Sequence, residues 1–330
     1  ILHCVEAAQL LPFEQGLQFE QSLFRERISA PEARAARHIL MAERYAALPP
    51  KPAAAVASVH RVVLYGSRDS LGALALADLV LDDGTLPASP LAELQPHAIW
   101  ALLGRGLRPD ARATQLSLSK PILPLHLWPP NPARALAELS LTGQRDMADI
   151  AGLMAVLARL GRTTLLTRAQ TGEIEHRLRS ALYKAGLGLL ALGARPEAVD
   201  AGAVQLGFTR GPCQMMDRHG LPQVQARVSR STDGEAADKI LEAFIAAGRI
   251  GQSAGQGFFA YRDGKASADT AIDRLLPERY ALGLTEAQLG RAILGAIANA
   301  AAQIMTAGLL RRASDIDLAM VKGLGLSLIH

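Results

Sequence analysis

The strongest constraint on this chain is a plan met twice in its C-terminal half. The stretches HRLRSALYKAGLGLLALGARPEAVDAGAVQLGF and GRAILGAIANAAAQIMTAGLLRRASDIDLAMVKGLGL run in parallel. Each opens with a long Ala/Leu-rich run closed by a glycine, Gly193 or Gly308. A short polar turn and an aspartate follow, Asp200 or Asp317, then a second run closed by Gly207 or Gly323. Alanine and leucine favour helix. A glycine after a helix is a C-terminal cap, because glycine takes the left-handed conformation cheaply. The pattern predicts two helical halves packed on each other over 171–330. Breaks are expected at GFTRGP and GRIGQSAGQGFF.

The rest of the chain divides around a proline-rich stretch. Residues 1–47 read as helical, with Leu17, Phe19, Leu23, Phe24 and Ile28 at roughly helical spacing and Pro31 placed to open a helix. PPKPAAA, residues 49–55, reads as a stiff linker. From 58 to 170 short apolar runs (VVLY, ADLVL, ILPLHLW) alternate with helical pieces, an α/β pattern too short for a full doubly wound domain. Of 330 residues, 49% are hydrophobic and 20% charged, enough for a real core and against disorder. The net charge of +4 is spread without basic runs, which argues against nucleic-acid binding but suits anionic ligands. Cys4 and Cys213 offer neither metal spacing nor a disulfide framework, so a cytoplasmic setting is expected. No apolar run predicts membrane insertion.

Two places could carry chemistry. VVLYGSRDSLG has the form of a strand, a glycine turn and a helix start. A dinucleotide turn wants Gly-x-Gly-x-x-Gly, the middle glycine letting backbone approach the pyrophosphate. Gly66 fits the first role and Gly72 falls near the third. Arg68 holds the middle position and Asp69 sets a negative charge beside it. GALALADLVLDD then runs directly into a second strand ending in Asp82 and Asp83, leaving a helix that looks too short for a crossover. Further on, LPLHLWPPNPARALAELS sets Glu138 twelve residues after His126. A histidine can act as a base near neutral pH and a carboxylate can orient it. A histidine in an apolar run is also a common core residue.

Several segments together resemble a known family. GFTRGPCQMMDRHGL and GRIGQSAGQGFFAYRDG are similar to the C-terminal domain of L-3-hydroxyacyl-CoA dehydrogenases. SDIDLAMVKGLG resembles the close of the second half of that domain in multifunctional β-oxidation enzymes. LPFEQGLQFEQSLFRERISAPEARAARHILMAER is similar to the enoyl-CoA hydratase tail and linker helix of the same enzymes. The resemblance implies a fold of α/β plus α: a reduced Rossmann-like domain followed by a duplicated all-helical dehydrogenase C-terminal domain. It implies hydratase-tail and linker helices at 1–50, the NAD-binding domain at 56–170, and the two helical halves at 171–265 and 266–330. It implies NAD-dependent oxidation of (S)-3-hydroxyacyl-CoA to 3-oxoacyl-CoA, with His126 as base and Glu138 as its orienter. Ser117, in ATQLSLS with Gln115 before it, matches the serine that contacts the substrate hydroxyl. His176 stands where the family has a substrate-contacting asparagine, followed by a matching Arg177. Gly66 and Gly72 would line the cofactor turn, and no acidic cofactor ligand carries over. The implied partners are an acyl-CoA substrate and a hydratase domain or another β-oxidation subunit. Arg68, His176 and the shortened block after Gly72 support a rival reading, a catalytically impaired acyl-CoA-binding or subunit-interaction module; a purely structural helical assembly protein is the third.

Overall fold

The computed structural model describes residues 1–50, 58–65, 74, 76–85, 97–104, 106–128, 135–143, 146–228, 235–277 and 283–327. Gly66, Arg68, Asp69 and Gly72 lie outside these residues, as does most of the 49–55 proline-rich stretch. Three helices open the chain: α1 (Leu2–Leu10), α2 (Phe13–Ser29) and α3 (Pro31–Ala46). Pro31 takes the first helical position of α3, where its missing N–H costs nothing. One face of α3 (Ile39, Ala42, Ala46) enters the core of the C-terminal helices. The apolar face expected on α2 forms but stays open, with Phe24 62% exposed and no residue of the helix buried.

Six strands follow: β1 (Val62–Tyr65), β2 (Leu79–Asp82), β3 (Ile99–Leu103), β4 (Leu123–Leu127), β5 (Leu136–Ser140) and β6 (Thr163–Thr167). They lie side by side in chain order. All neighbours are parallel except β4 and β5. The expectation that β1 and β2 could not be joined by a crossover is corrected. The two strands pair in parallel, and residues 66–78 meet the length of about a dozen residues such a connection needs. Successive side chains on a strand face opposite ways. Leu79, Ile99, Ala101, Leu123 and Leu125 thus pack on one face with helix α5 (Met147–Arg159). Val80, Trp100 and Leu102 pack on the other with Leu116, which ends helix α4 (Pro109–Gln115), and Ile122, which precedes β4.

The C-terminal region is helical. Helix α6 (Glu173–Ala191) is followed by α7 (Pro196–Gln205), α8 (Pro212–His219), α9 (Leu221–Val228) and α10 (Glu235–Ala246). A hairpin, β7 (Ala260–Arg262) with β8 (Lys265–Ser267), precedes the long α11 (Glu286–Thr306) and short α12 (Ala313–Leu318). Helix α12 continues into a wide π-helical turn over Ala319–Leu324. The repeated plan is real. Gly193 and Gly308 both close long helices with positive φ, 94° and 64°. The two halves meet where α7 crosses α11: a Cβ on Gly202 would lie 2.5 Å from the Glu286 carbonyl oxygen, and one on Gly290 close to Gly202 itself. Only glycine permits that approach. One detail differs from expectation. The left-handed cap of the second unit is Gly325 (φ 81°), not Gly323. Gly323 instead makes room for the Trp128 ring, which occupies the place of its missing side chain.

Candidate active site

The antiparallel step in the sheet is what builds the site. In the β4–β5 pair, His126 and Glu138 are direct cross-strand partners. Such partners share one face of the sheet with closely spaced Cβ atoms. Twelve residues apart in sequence, they become neighbours because a short connection folds β5 back along β4. The Trp128 N–H donates to the Leu136 carbonyl at 3.1 Å, which extends this ladder past His126. The Trp128 ring then anchors the strand to the π-helical turn at Gly323.

Glu138 is fully buried and faces the start of α6. Its Oε1 accepts the backbone N–H of Ile174 at 3.2 Å and its Oε2 that of Glu175 at 3.3 Å. Free N–H groups at a helix start and the helix dipole both favour a carboxylate there. Burial acts the other way and is stronger, with help from the nearby charge of Glu175. The Glu138 carboxyl is pushed up to about 7. A carboxyl that titrates near neutrality, held opposite a histidine, is what proton transfer needs.

Gly172, in the left-handed conformation (φ 74°), turns the chain into α6. His176 lies in the first turns of that helix, half-buried, with Nδ1 3.5 Å from the Ser180 hydroxyl. It thus shares a helix start with the two N–H groups that hold Glu138. Arg177 faces outward and pairs with Glu173 one turn back, Nε to Oε1 2.9 Å. Ser117 is not brought to this cluster. It is exposed, with φ 54°, directly after helix α4, and its N–H donates to the Thr114 carbonyl. The chain then enters β4 at its start, whereas His126 is the fourth of that strand's five residues. The backbone that does reach this end of β4 is Gly104, whose N–H donates to the Leu125 carbonyl at 3.0 Å.

Two roles were not read from the sequence. Glu175, buried beside the dyad, pairs with Arg179 and with Arg227 (2.9 Å). Burial opposes its charge, but the two guanidinium groups outweigh burial and hold the carboxyl down to about 2. The spacing in EIEHRLR, glutamate to arginine four apart, signals the first of these pairs. The aspartates of the glycine-rich segments turn out to organise backbone. Asp200 accepts the N–H groups of Cys213 and Gln214 at 2.8 and 3.0 Å, capping α8. Asp217 accepts those of Phe258 and Phe259, and the Tyr261 hydroxyl. Gly211 and Gly257 lack the Cβ atoms that would collide with these carboxylates.

These buried clasps lie in the segment that matches a known family. Residues 172–261 match the family model of the 3-hydroxyacyl-CoA dehydrogenase, C-terminal domain. This segment is similar to a dehydrogenase C-terminal domain. The fold is also similar to the dehydrogenase part of multifunctional enzyme 1 from C. elegans. That likeness has a TM-score of 0.56 at 16% identity and covers 76% of this chain and 61% of the other. It is similar as well to 3-hydroxybutyryl-CoA dehydrogenase from Escherichia coli K12, with a TM-score of 0.56 at 18% identity over 77% of this chain and 73% of that one. The α/β-plus-α architecture is therefore shared with both.

Among the described strands, the likeness to a dinucleotide-binding sheet is incomplete. Such sheets hold the nucleotide where strand order reverses, with strands on both sides of the first. Here the order runs from β1 to β6 without reversal and β1 is an edge, its Val62 and Leu64 45% and 58% exposed. Asp82, at the end of β2, is already held by Arg112 (Nε 2.7 Å) and the Gly84 N–H (2.8 Å). The other acid at this strand end, Asp83, accepts the Thr85 N–H and hydroxyl at 2.9 and 2.6 Å.

Proposed function

We propose that the chain acts on (S)-3-hydroxyacyl-CoA esters, oxidising them to 3-oxoacyl-CoA with NAD, a step of fatty acid β-oxidation. The observation that carries this reading is the His126–Glu138 pair, fixed across β4 and β5 onto the first N–H groups of the family-matched domain. His126 takes the proton of the 3-hydroxyl, and Glu138 orients the ring and offsets the charge it gains. His176, on the adjoining helix turn, is the substrate contact on the helical side; Ser117 is assigned to the substrate only if the ligand reaches the far end of β4. NAD, when bound, supplies the hydride acceptor. Gly66 and Gly72 are its proposed backbone contacts.

The domains proposed are linker helices at 1–50, the sheet domain at 56–170 and helical halves at 171–265 and 266–330. A hydratase domain or another β-oxidation subunit is the proposed partner, supported by the open apolar face of α2. A cytoplasmic setting accords with two cysteines that remain thiols. Among the described residues no helix is long and apolar enough to cross a membrane.

Fluorescence titration with NADH, repeated with acetoacetyl-CoA, tests the reading. Turnover that falls about 10²- to 10⁴-fold in His126→Ala supports it. Binding of the CoA ester with no NADH binding overturns it in favour of a substrate-binding module.

A further inference from the structure

A cavity of about 480 Å³ opens among α6, α8, α9 and the π-helical turn. Its charge balance is unequal. Arg179, Arg210, Arg218, Arg227 and Lys322 line it, and Glu175 is its one acidic lining residue. Glu175 is shared by Arg179 and Arg227, so one anion meets two cations. Lys322 is paired outside the cavity, with Glu43 at 2.9 Å. Arg210 and Arg218 are exposed and pair with no carboxylate among the described residues. Arg227 has a second unmet need. Its side chain is 10% exposed, and its buried Nε has no acceptor among the described residues.

Leaving a buried guanidinium donor unsatisfied costs more than an ordinary hydrogen bond returns. Gathering arginines around a cavity in excess of their partners costs further repulsion. Both costs are offset when an anion occupies the space. Arginine forks match the two oxygens of a carboxylate or phosphate, often in pairs. We propose that this cavity is a binding site for a small oxyanion, a carboxylate or a phosphate, held by Arg210 and Arg218 at its mouth and by Arg227 within. Glu175 excludes the ligand from the inner end, because it already satisfies Arg179. The anion is either the acidic end of the substrate's own acyl chain or a free metabolite anion.

Calorimetric titration of the full chain with glutarate and with inorganic phosphate tests the site without NAD or turnover. It therefore succeeds or fails independently of the dehydrogenase reading. Saturable binding of at least one anion is expected, weakened at least tenfold in the double variant Arg210→Gln/Arg218→Gln. The unfolding midpoint of that variant should be unchanged, since neither side chain is buried. Two CoA esters of equal length, one ending in a carboxylate and one neutral, separate the sources. Tenfold weaker binding of the acidic ester alone assigns the anion to the acyl chain. Loss of glutarate or phosphate binding with both esters unaffected assigns a free anion. If neither anion binds, or the variant binds as well as the original chain, the proposal is overturned.

Discussion

Glu138 sets two physical effects against each other at one carboxyl group. Burial favours its protonated form, while two helix N–H groups favour its charged form, and burial prevails. The consequence for stability has a definite sign. The native state keeps the proton up to about pH 7, whereas the unfolded chain releases it near the ordinary value of 4.5. Across that window the native state binds more protons, so the stability owed to this group falls as pH rises. Glu138→Gln removes the titration. We expect the variant to gain about 1–3 kcal/mol relative to the original chain between pH 4.5 and pH 8. Urea unfolding at the two pH values reads it, and equal differences at both would show that Glu138 titrates normally. The same variant should lose turnover about 10- to 100-fold, because an uncharged amide no longer offsets a charged imidazole. Glu175 has the opposite sign. Its carboxyl is held to about 2, so its contribution is complete above pH 4.5 and fades as pH falls towards 2.

At the scale of elements, the glycines separate what sequence can show from what it cannot. Gly193 and Gly308 were legible as caps because helix termination is local: a left-handed residue is needed where a helix stops. Gly323 resembled them in sequence and does something else. Its role depends on Trp128, nearly two hundred residues away, and no local signal reports that contact. The difference is measurable. A methyl group at Gly308 meets open space and carries only the backbone cost of φ 64°, about 1 kcal/mol. At Gly323 the added Cβ would fall 2.1 Å from the Trp128 ring, so β4 or the π-helical turn must shift. Gly323→Ala is expected to cost about 1–3 kcal/mol from overpacking. It should also reduce activity, because the strand it displaces carries His126; Gly308→Ala should not. Denaturation and turnover measured on both variants check this, and equal loss of activity would refute the link. The pairing of His126 with Glu138 was legible only through resemblance. Spacing alone does not reveal that β5 turns back on β4. The arginine cavity was missed because its members come from helices distant in sequence. Ser117 shows the reverse: a fitting short motif that the fold places just after a helix, away from His126 and Glu138.

For the whole molecule the decisive feature is strand order. The sheet holds the strands that lead to His126 in sequence, yet among the described strands β1, the strand before the expected cofactor turn, is an edge. In a doubly wound sheet the strands beyond the first support the adenosine half of a dinucleotide, and the later strands face the reactive half. Among the described strands only the second group is present. On the proposed dehydrogenase reading, the binding energy of NAD then comes mainly from its nicotinamide half. Two outcomes follow. NADH should bind weakly enough that its thermal stabilisation at millimolar concentration stays below about 3 kcal/mol, the value for a ligand at a hundred times its Kd. ADP-ribose, which keeps the adenosine and both phosphates but lacks the nicotinamide, should displace NADH poorly, at least tenfold less effectively than NAD itself. Competition followed by NADH fluorescence measures this directly. Displacement by ADP-ribose as effective as by NAD would mean that an adenosine site exists, and the edge position of β1 would no longer limit the cofactor.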